Sequence, residues 1–334
     1  MINEAAATRF IHSRALTVIV AIFGVAFSWV YFLLYGAVPT DAPGFFGAGI
    51  SSLLPLGIVS WAVNAIAVLA CVVVLYNLNK TYLFIREQTM LFATVFLAST
   101  FLSAKASLAL GTAVPLALVV LGCTALLFGT FQRADSRGVH FLIATVLTVC
   151  SLQSYVFACY LPVFVIGAMQ MQSFSFKSLL ASLAGIVAPV WIAYAFGIID
   201  LADLALPHLL NGFTALPSGI DMGYMVHLLY IVVLGTIFGI ISSWTIISYR
   251  QQLRSYNGFF NLIAIATLLM MAVDLHNAYC YVVVINAMVA IQTAHFFTMR
   301  RIPNGYVVFY VLLAVDVVLS IAAGFNIVSL IKYL

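Results

Sequence analysis

Long runs of apolar residues separated by short polar connections dominate the chain. The apolar runs occupy approximately 15–36, 55–76, 88–104, 111–131, 139–170, 178–198, 224–247, 258–275, 278–298 and 305–331. A helix rises 1.5 Å per residue, so about 20 apolar residues cross a hydrocarbon core about 30 Å thick. The pattern predicts an all-α polytopic transmembrane helix bundle with about 10–11 membrane segments.

The connections between these runs leave no room for a second kind of domain. The longest two, 37–54 and 199–223, are about 20 residues each, so residues 1–334 form a single transmembrane domain without a soluble domain. Arg9 and Arg14 precede the first run, which is longer than the apolar part of a signal peptide and lacks a small-residue cleavage pattern after it. We therefore interpret the first run as a retained helix.

Composition supports this class of protein. Hydrophobic residues make up 65% of the chain and charged residues only 7%, whereas soluble domains carry about 25% charged residues. So few charges cannot coat a soluble globule, and lipid must be the partner of most of the surface. The basic residues are scattered in ones and twos between apolar runs, which excludes the basic stripe typical of nucleic-acid binding.

The run 139–170 is long for one crossing and short for two. Its middle, Ser151–Tyr155, is polar, and Pro162 interrupts its second half. Cytoplasmic loops are enriched in Lys and Arg, and this rule decides between the alternatives. If 139–170 goes out and returns as two short or broken segments, eleven basic residues face the cytoplasm: Arg9, Arg14, Lys80, Arg86, Arg133, Arg137, Lys177, Arg250, Arg254, Arg300 and Arg301.

This topology has further consequences. Only Lys105 and Lys332 are left on the outer side, and five carboxylates fall there or at its edge: Asp41, Asp200, Asp203, Asp221 and Asp274. The N-terminus is then cytoplasmic and the C-terminus periplasmic. Incomplete helices within a bilayer need ends that are buried in protein or face water, so the apex at Gln153 and Tyr155 is expected to line a wet cavity.

Asp316 is the most unusual polar residue, because it lies near the middle of the last apolar run. A carboxylate at the bilayer centre costs about 2.5–3.5 kcal/mol on insertion scales. Asp316 is therefore expected to face the bundle and to be protonated or paired. It could serve as a proton or cation relay or contact a substrate, or it could be a neutral acid bonded to a neighbouring helix.

The predicted outer side holds the other candidates. Asp274 and His276 lie in one tight turn, where they could exchange protons with a substrate or merely cap helix ends. Asp41, in the first outer loop, could serve a lipid-linked substrate or be a solvated loop residue. Lys105 could hold a phosphate group or extend to the headgroups.

We group these residues into one hypothetical site. Asp41, Asp274 and His276 are the candidate catalytic residues, and the candidate substrate-binding residues are Lys105, Gln153, Tyr155 and Asp316. The sequence contains no phosphate-binding glycine loop, no nucleophile elbow and no His or Cys spacing typical of a metal site. We therefore predict no metal and no cofactor.

Several short segments carry a resemblance to a known family. They are Tyr76–Lys80 leading into Arg86–Gln88, the broken pair from Ser151 to Pro162, Gly185–Pro189 followed by Trp191, and the turn at Asp274 followed by an apolar run ending in Arg300–Pro303. In their order along most of the chain they resemble multi-pass inner-membrane proteins of Bacteroidota that carry a domain of unknown function. The resemblance implies a bacterial inner membrane and no particular activity.

Two functions of different classes remain open. The first is a step in envelope glycan synthesis or polyprenyl-linked substrate handling at the outer leaflet, in which Asp41 acts in the first outer loop. The second is a proton- or ion-coupled transporter, favoured by Asp316, or a non-enzymatic assembly subunit that contacts another membrane protein. The expected partners are thus the lipid bilayer and either a lipid-linked substrate or another membrane protein.

Overall fold

The computed structural model describes residues 10–46, 49–85, 89–133, 136–200, 202, 222–299 and 305–324. These residues form helices joined by short connections, and none of them lies in a β-strand. The α-helices are α1 (Arg14–Tyr35), α2 (Ile58–Tyr82), α3 (Leu91–Phe101), α4 (Ala104–Ser107), α5 (Ala113–Phe128), α6 (Arg137–Gln153), α7 (Leu161–Gln170), α8 (Phe176–Ala195), α9 (Met222–Ile246), α10 (Gln251–Val273), α11 (Ala278–Met299) and α12 (Gly305–Gly324).

Among the described residues, seven helices are long and apolar enough to cross a membrane. Four shorter apolar segments add to them: Leu91–Phe101, Ala113–Phe128, Arg137–Gln153 and Tyr155–Gln170. The predicted all-α bundle of about 10–11 membrane segments is confirmed, and the protein is a multi-pass helical membrane protein.

Local sequence fixes where several helices begin and end. Ser13 caps α1 by accepting a hydrogen bond from the Leu16 amide, and Gly36 ends the same helix with a φ of 72° that favours glycine. Ser175 and Ser178 form a reciprocal capping box at the start of α8. These caps satisfy amide groups that the first turn of a helix leaves without partners.

Helix α11 is the centre of the bundle. Its apolar window is 89% buried, whereas the corresponding windows of the other six long helices are at most 44% buried. It packs against α3, α5, α9 and α10. Gly235 and Gly239 of α9 face it closely, since a Cβ on Gly235 would lie 2.5 Å from Val289. The small residues thus let α9 approach the central helix.

Among the described residues, most Lys and Arg lie at one end of the bundle and the loop carboxylates lie at the other. The basic end holds Arg14, Lys80, Arg133, Arg137, Lys177, Arg250 and Arg254, each at a helix terminus or in a connection. Hydrogen bonds join these connections: His12 to Thr89 at 2.8 Å, and Gln132 to Met171 at 3.0 Å. The acidic end holds the described loop carboxylates Asp41, Asp200 and Asp274.

The region 139–170 reverses direction, as the distribution of Lys and Arg predicts. Helix α6 rises to the acidic end, a 3₁₀ turn over Tyr155–Tyr160 follows, and α7 returns. The six 3₁₀ residues and ten helical residues of the returning segment span about 27 Å together. The two broken segments therefore both extend through most of the bilayer core.

A second break, not expected from the sequence, follows α3. This helix has only 11 residues and spans about 16 Å. Residues 102–112 continue as irregular backbone with the short helix α4, and those with described side chains are all buried. Side chains of α1 and α2 bond to this backbone. The Leu110 amide donates to the Ser60 hydroxyl and the Asn64 amide donates to the Ala106 carbonyl, both at 2.9 Å, and the Ser28 hydroxyl donates to the Ser107 carbonyl at 3.1 Å.

Candidate functional site

The first loop of the acidic end passes directly over the apex between α6 and α7. The backbone carbonyl of Pro43 accepts a hydrogen bond from the Tyr155 amide at 3.1 Å. At Gly44 the two chain segments nearly touch, because a Cβ there would lie 2.4 Å from the Leu152 carbonyl oxygen. Only glycine fits this approach, and the loop is thereby held against the apex.

Asp41 is anchored within the same loop. Its carboxylate accepts hydrogen bonds from the Ser51 amide at 2.9 Å and from the Thr112 hydroxyl at 3.3 Å. The Thr112 amide in turn donates to the carbonyl of Thr40 at 2.9 Å. Thr112 ends the broken segment after α3, so the break places the partner of Asp41. The carboxylate itself is only partly buried.

Tyr155, Asp274 and Asn277 form a hydrogen-bonded triangle. The Tyr155 hydroxyl donates to Oδ2 of Asp274, and Nδ2 of Asn277 reaches both the Tyr155 hydroxyl at 2.8 Å and Oδ1 of Asp274 at 3.0 Å. Tyr155 and Asp274 are 4% and 6% exposed. The turn after α10 is therefore tied to the apex of the α6–α7 hairpin.

Cys280 joins the central helix to the first loop. It lies at the start of that helix, and its thiol donates to the carbonyl of Thr40 at 3.9 Å. We call Asp41, Thr112, Tyr155, Asp274 and Asn277 the acidic-end cluster. Its members come from four parts of the chain that are far apart in sequence.

The remaining predicted residues differ in where they lie relative to this cluster. Gln153 is partly buried at the end of α6, and His276 is exposed in the 3₁₀ turn Leu275–Asn277. The backbone of Lys105 lies in α4, but its side chain is outside the described part of the structure. Asp316 is not part of the cluster. The structure thus brings Asp41, Gln153, Tyr155 and the Asp274–His276 turn together, whereas Asp316 lies elsewhere.

Asp316 forms a second polar site between α9 and α12. Its Oδ1 lies 2.9 Å from Nε2 of His227, and the Ser320 hydroxyl lies 3.0 Å from the same nitrogen. The Tyr31 hydroxyl of α1 donates to the Ser320 carbonyl at 3.2 Å. Asp316 and His227 are 7% and 1% exposed. The expectation that Asp316 faces the bundle and is paired is confirmed.

His227 and Thr112 are residues that the sequence did not single out. No signal in the sequence pairs His227 with Asp316, since the predicted runs 224–247 and 305–331 place them three and fifteen residues from their outer ends. Thr112 also has no such signal, because its role depends on the break before it.

The cluster has the groups needed for proton transfer and hydrogen bonding near the bilayer surface. Asp41 offers a partly accessible carboxylate, His276 offers an exposed imidazole, and the Tyr155 triangle fixes the distance between the segments that carry them. In the described part of the chain, no three His, Cys, Asp or Glu side chains are grouped so as to hold a metal ion.

Comparisons with known proteins do not assign the chain to a family. The chain matches no family model, no curated protein and no solved structure.

Proposed function

We propose that the protein handles a lipid-linked, phosphate-bearing glycan precursor at the acidic end of its bundle. The observation that carries the proposal is the convergence of four distant segments in the acidic-end cluster, which includes the partly accessible carboxylate of Asp41. A site at a helix-bundle end meets the headgroup of a lipid substrate while its chain remains in the bilayer.

The orientation in this proposal places the acidic end outside the cytoplasm of a bacterial cell. Seven of the eight described Lys and Arg residues lie at the basic end, and Lys105 is the exception. Basic residues accumulate on the cytoplasmic side of membrane proteins. The N-terminus is then cytoplasmic and the C-terminus periplasmic, in keeping with the resemblance to inner-membrane proteins of Bacteroidota.

Each residue has a distinct role in this proposal. The acceptor hydroxyl attacks the anomeric carbon of the lipid-linked glycan, and Asp41 takes the proton of that hydroxyl. The bond between the anomeric carbon and the lipid phosphate breaks, the lipid phosphate leaves, and His276 exchanges protons with the substrate. Lys105 supplies the cation for the phosphate. Gln153 donates hydrogen bonds to the sugar, while Tyr155 and Asp274 hold the apex and the α10–α11 turn in place.

The test compares two carboxylates at the same end. Cells lacking the protein are complemented with Asp41→Asn or with Asp200→Asn, the latter an exposed carboxylate outside the cluster. Lipid-linked glycans are then measured by mass spectrometry of extracted lipids. We expect accumulation of a lipid-linked precursor with Asp41→Asn at normal protein levels, and none with Asp200→Asn. Normal glycan profiles with both variants would contradict the proposal.

The orientation has its own test. A single cysteine is introduced at His276 or at Lys177 in a variant whose native cysteines are replaced by alanine. A membrane-impermeant maleimide added to intact spheroplasts should label the cysteine at position 276 and not the one at 177. The opposite labelling would reverse the proposed topology.

A second candidate function, proton-coupled transport, rests on the His227–Asp316 pair. Ionisable residues inside membrane segments mark proton relays and ion pathways, and a cavity of about 40 Å³ borders Asp316 between α3, α9, α11 and α12. Proteoliposomes containing the protein should then show proton flux that Asp316→Asn abolishes. Equal flux with wild type and variant would exclude this function for the pair.

A further inference from the structure

A further cavity in the described part of the bundle contains none of the residues that form the two polar sites. It is a groove of about 290 Å³ between α9 and α10, with α11 as its floor, whereas the cavity beside Asp316 measures about 40 Å³. Its walls include the lipid-facing side chains of Ile240, Trp244 and Ile265, which are 62%, 77% and 58% exposed. The groove is thus open towards the bilayer.

The floor of this groove is polar, which is unusual for a surface that faces lipid. Nε2 of Gln292 donates to Oδ1 of Asn261 at 3.2 Å, and Nδ2 of Asn261 donates to the Ser243 hydroxyl at 2.7 Å. The Ser243 hydroxyl donates in turn to the Gly239 carbonyl at 2.7 Å. The three side chains form one directed chain across α9, α10 and α11.

This chain leaves hydrogen-bonding capacity for a ligand. The described contacts use one N–H of each amide, so the second N–H of Gln292 and of Asn261 has no partner among the described residues, and neither does Oε1 of Gln292. A group that both donates and accepts therefore fits best. A hydroxyl does both, whereas a carbonyl or an ether oxygen only accepts.

The depth of the floor and its lack of charge further restrict which ligand can bind. Gln292 lies seven residues before the end of α11 and Asn261 ten residues after the start of α10. The two amides are therefore about 10–15 Å from the basic end. No Lys, Arg, Asp, Glu or His lines the groove. A phosphate at this depth would find no cation to pair with, so the headgroup must be uncharged.

We propose that this groove binds a neutral lipid alcohol, an apolar chain that ends in an uncharged hydroxyl. The apolar tail of the ligand lies along the apolar walls of the groove. Its hydroxyl forms hydrogen bonds with the linked side chains of Gln292, Asn261 and Ser243. The volume is at the lower edge of the range of about 300–1,000 Å³ for small-molecule sites, which combine apolar walls with a few convergent polar groups. Gly235 and Gly239 also line the groove, where α9 approaches α11 closely.

The experiment measures binding of radiolabelled geranylgeraniol to the purified protein in lipid nanodiscs. Geranylgeranyl methyl ether, which lacks the donor hydrogen, and geranylgeranyl phosphate, which is charged, serve as competitors. We expect saturable binding of the alcohol. The ether and the phosphate should compete with an affinity at least about tenfold lower, because losing one hydrogen bond in an apolar site lowers affinity about tenfold.

Two variants on α9 separate this site from general contact with lipid. Thr236 is an exposed residue that lines the groove, and Thr236→Trp should block binding. Ile237 is 48% exposed on the same helix but does not line the groove, so Ile237→Trp is the matched control and should leave binding unchanged. Gln292→Met tests the headgroup contact and should weaken binding about tenfold.

Either of two results would overturn the proposal. If the alcohol and the methyl ether compete equally, the groove is filled by hydrocarbon alone and the polar floor plays no part. If Thr236→Trp binds the alcohol as well as Ile237→Trp does, the bound lipid lies elsewhere. Loss of folding in Gln292→Met would leave the comparison of the two tryptophan variants as the deciding measurement.

Discussion

The acidic-end cluster and the His227–Asp316 pair use the same residue type in opposite ways. Asp41 and Asp274 lie in connections between helices, where backbone amides and neighbouring hydroxyl and amide groups act as donors. Asp316 lies inside a helix whose own amides are already bonded, and its described hydrogen bond is to an imidazole on another helix. The first two carboxylates fix the path of loops, and the third joins two helices.

The difference predicts how much stability the protein loses when a side chain is removed from each site. Loop carboxylates near the bilayer surface can regain water when a partner is lost, so their removal has a moderate cost. A carboxylate–imidazole pair within the bilayer cannot, because the remaining partner is left buried without its counterpart. The stability of the protein should therefore depend more on the pair than on the cluster, whichever of the two carries the function.

The largest effect is expected for Asp316→Leu. The change leaves His227 buried with only Ser320 as a described side-chain partner, and breaking a buried pair in this way costs about 3–5 kcal/mol. Unfolding in detergent, followed by size-exclusion chromatography after heating, should show a strongly lowered midpoint. Val315→Leu, at a neighbouring position that is 37% exposed, is the control. Equal midpoints for the two variants would show that the pair does not stabilise the bundle.

A smaller effect is expected for Asp274→Ala in the cluster. The carboxylate accepts hydrogen bonds from Tyr155 and Asn277, and hydrogen bonds to charged groups contribute about 1.5–3 kcal/mol. Tyr155→Phe should account for part of the same loss. The double variant should then destabilise the protein by less than the two single changes added together, and strict additivity would argue against a direct contact.

Ser320→Ala tests how much the Ser320 hydroxyl contributes to the stability of the His227–Asp316 pair. The hydroxyl shares Nε2 of His227 with Asp316, so its removal should cost about 0.5–1.5 kcal/mol, well below the cost of removing the carboxylate. Thermal unfolding under the same detergent conditions measures the difference. A cost as large as that of Asp316→Leu would mean that serine, and not the carboxylate, is the main partner of the imidazole.

The smallest effect on stability is expected for His276→Ala. The side chain is exposed, and surface substitutions of this kind stay within about 0.5 kcal/mol. The same variant should nevertheless alter the lipid-linked glycan profile if His276 exchanges protons with the substrate. A marked loss of stability would instead show that the imidazole supports the Asp274 turn.

The sequence predicted the architecture well because membrane insertion depends on local properties. Apolar length, the scarcity of charge and the positions of Lys and Arg predicted the helical bundle and the reversal within 139–170. The pairing of Asp316 could also be expected, since an unpaired carboxylate in a bilayer is costly. Each of these inferences needs only the residues of one segment and the properties of the lipid around it.

Only the tertiary structure showed which helices meet. His227 became the partner of Asp316 through the packing of α9 on α12, and Thr112 reached Asp41 because the chain after α3 leaves its helix while buried among other helices. The polar floor of the groove likewise needs α9, α10 and α11 together. A single sequence indicates which segments are apolar enough to enter the bilayer, whereas breaks such as the one after α3 and the lateral contacts depend on the shapes of all the helices at once.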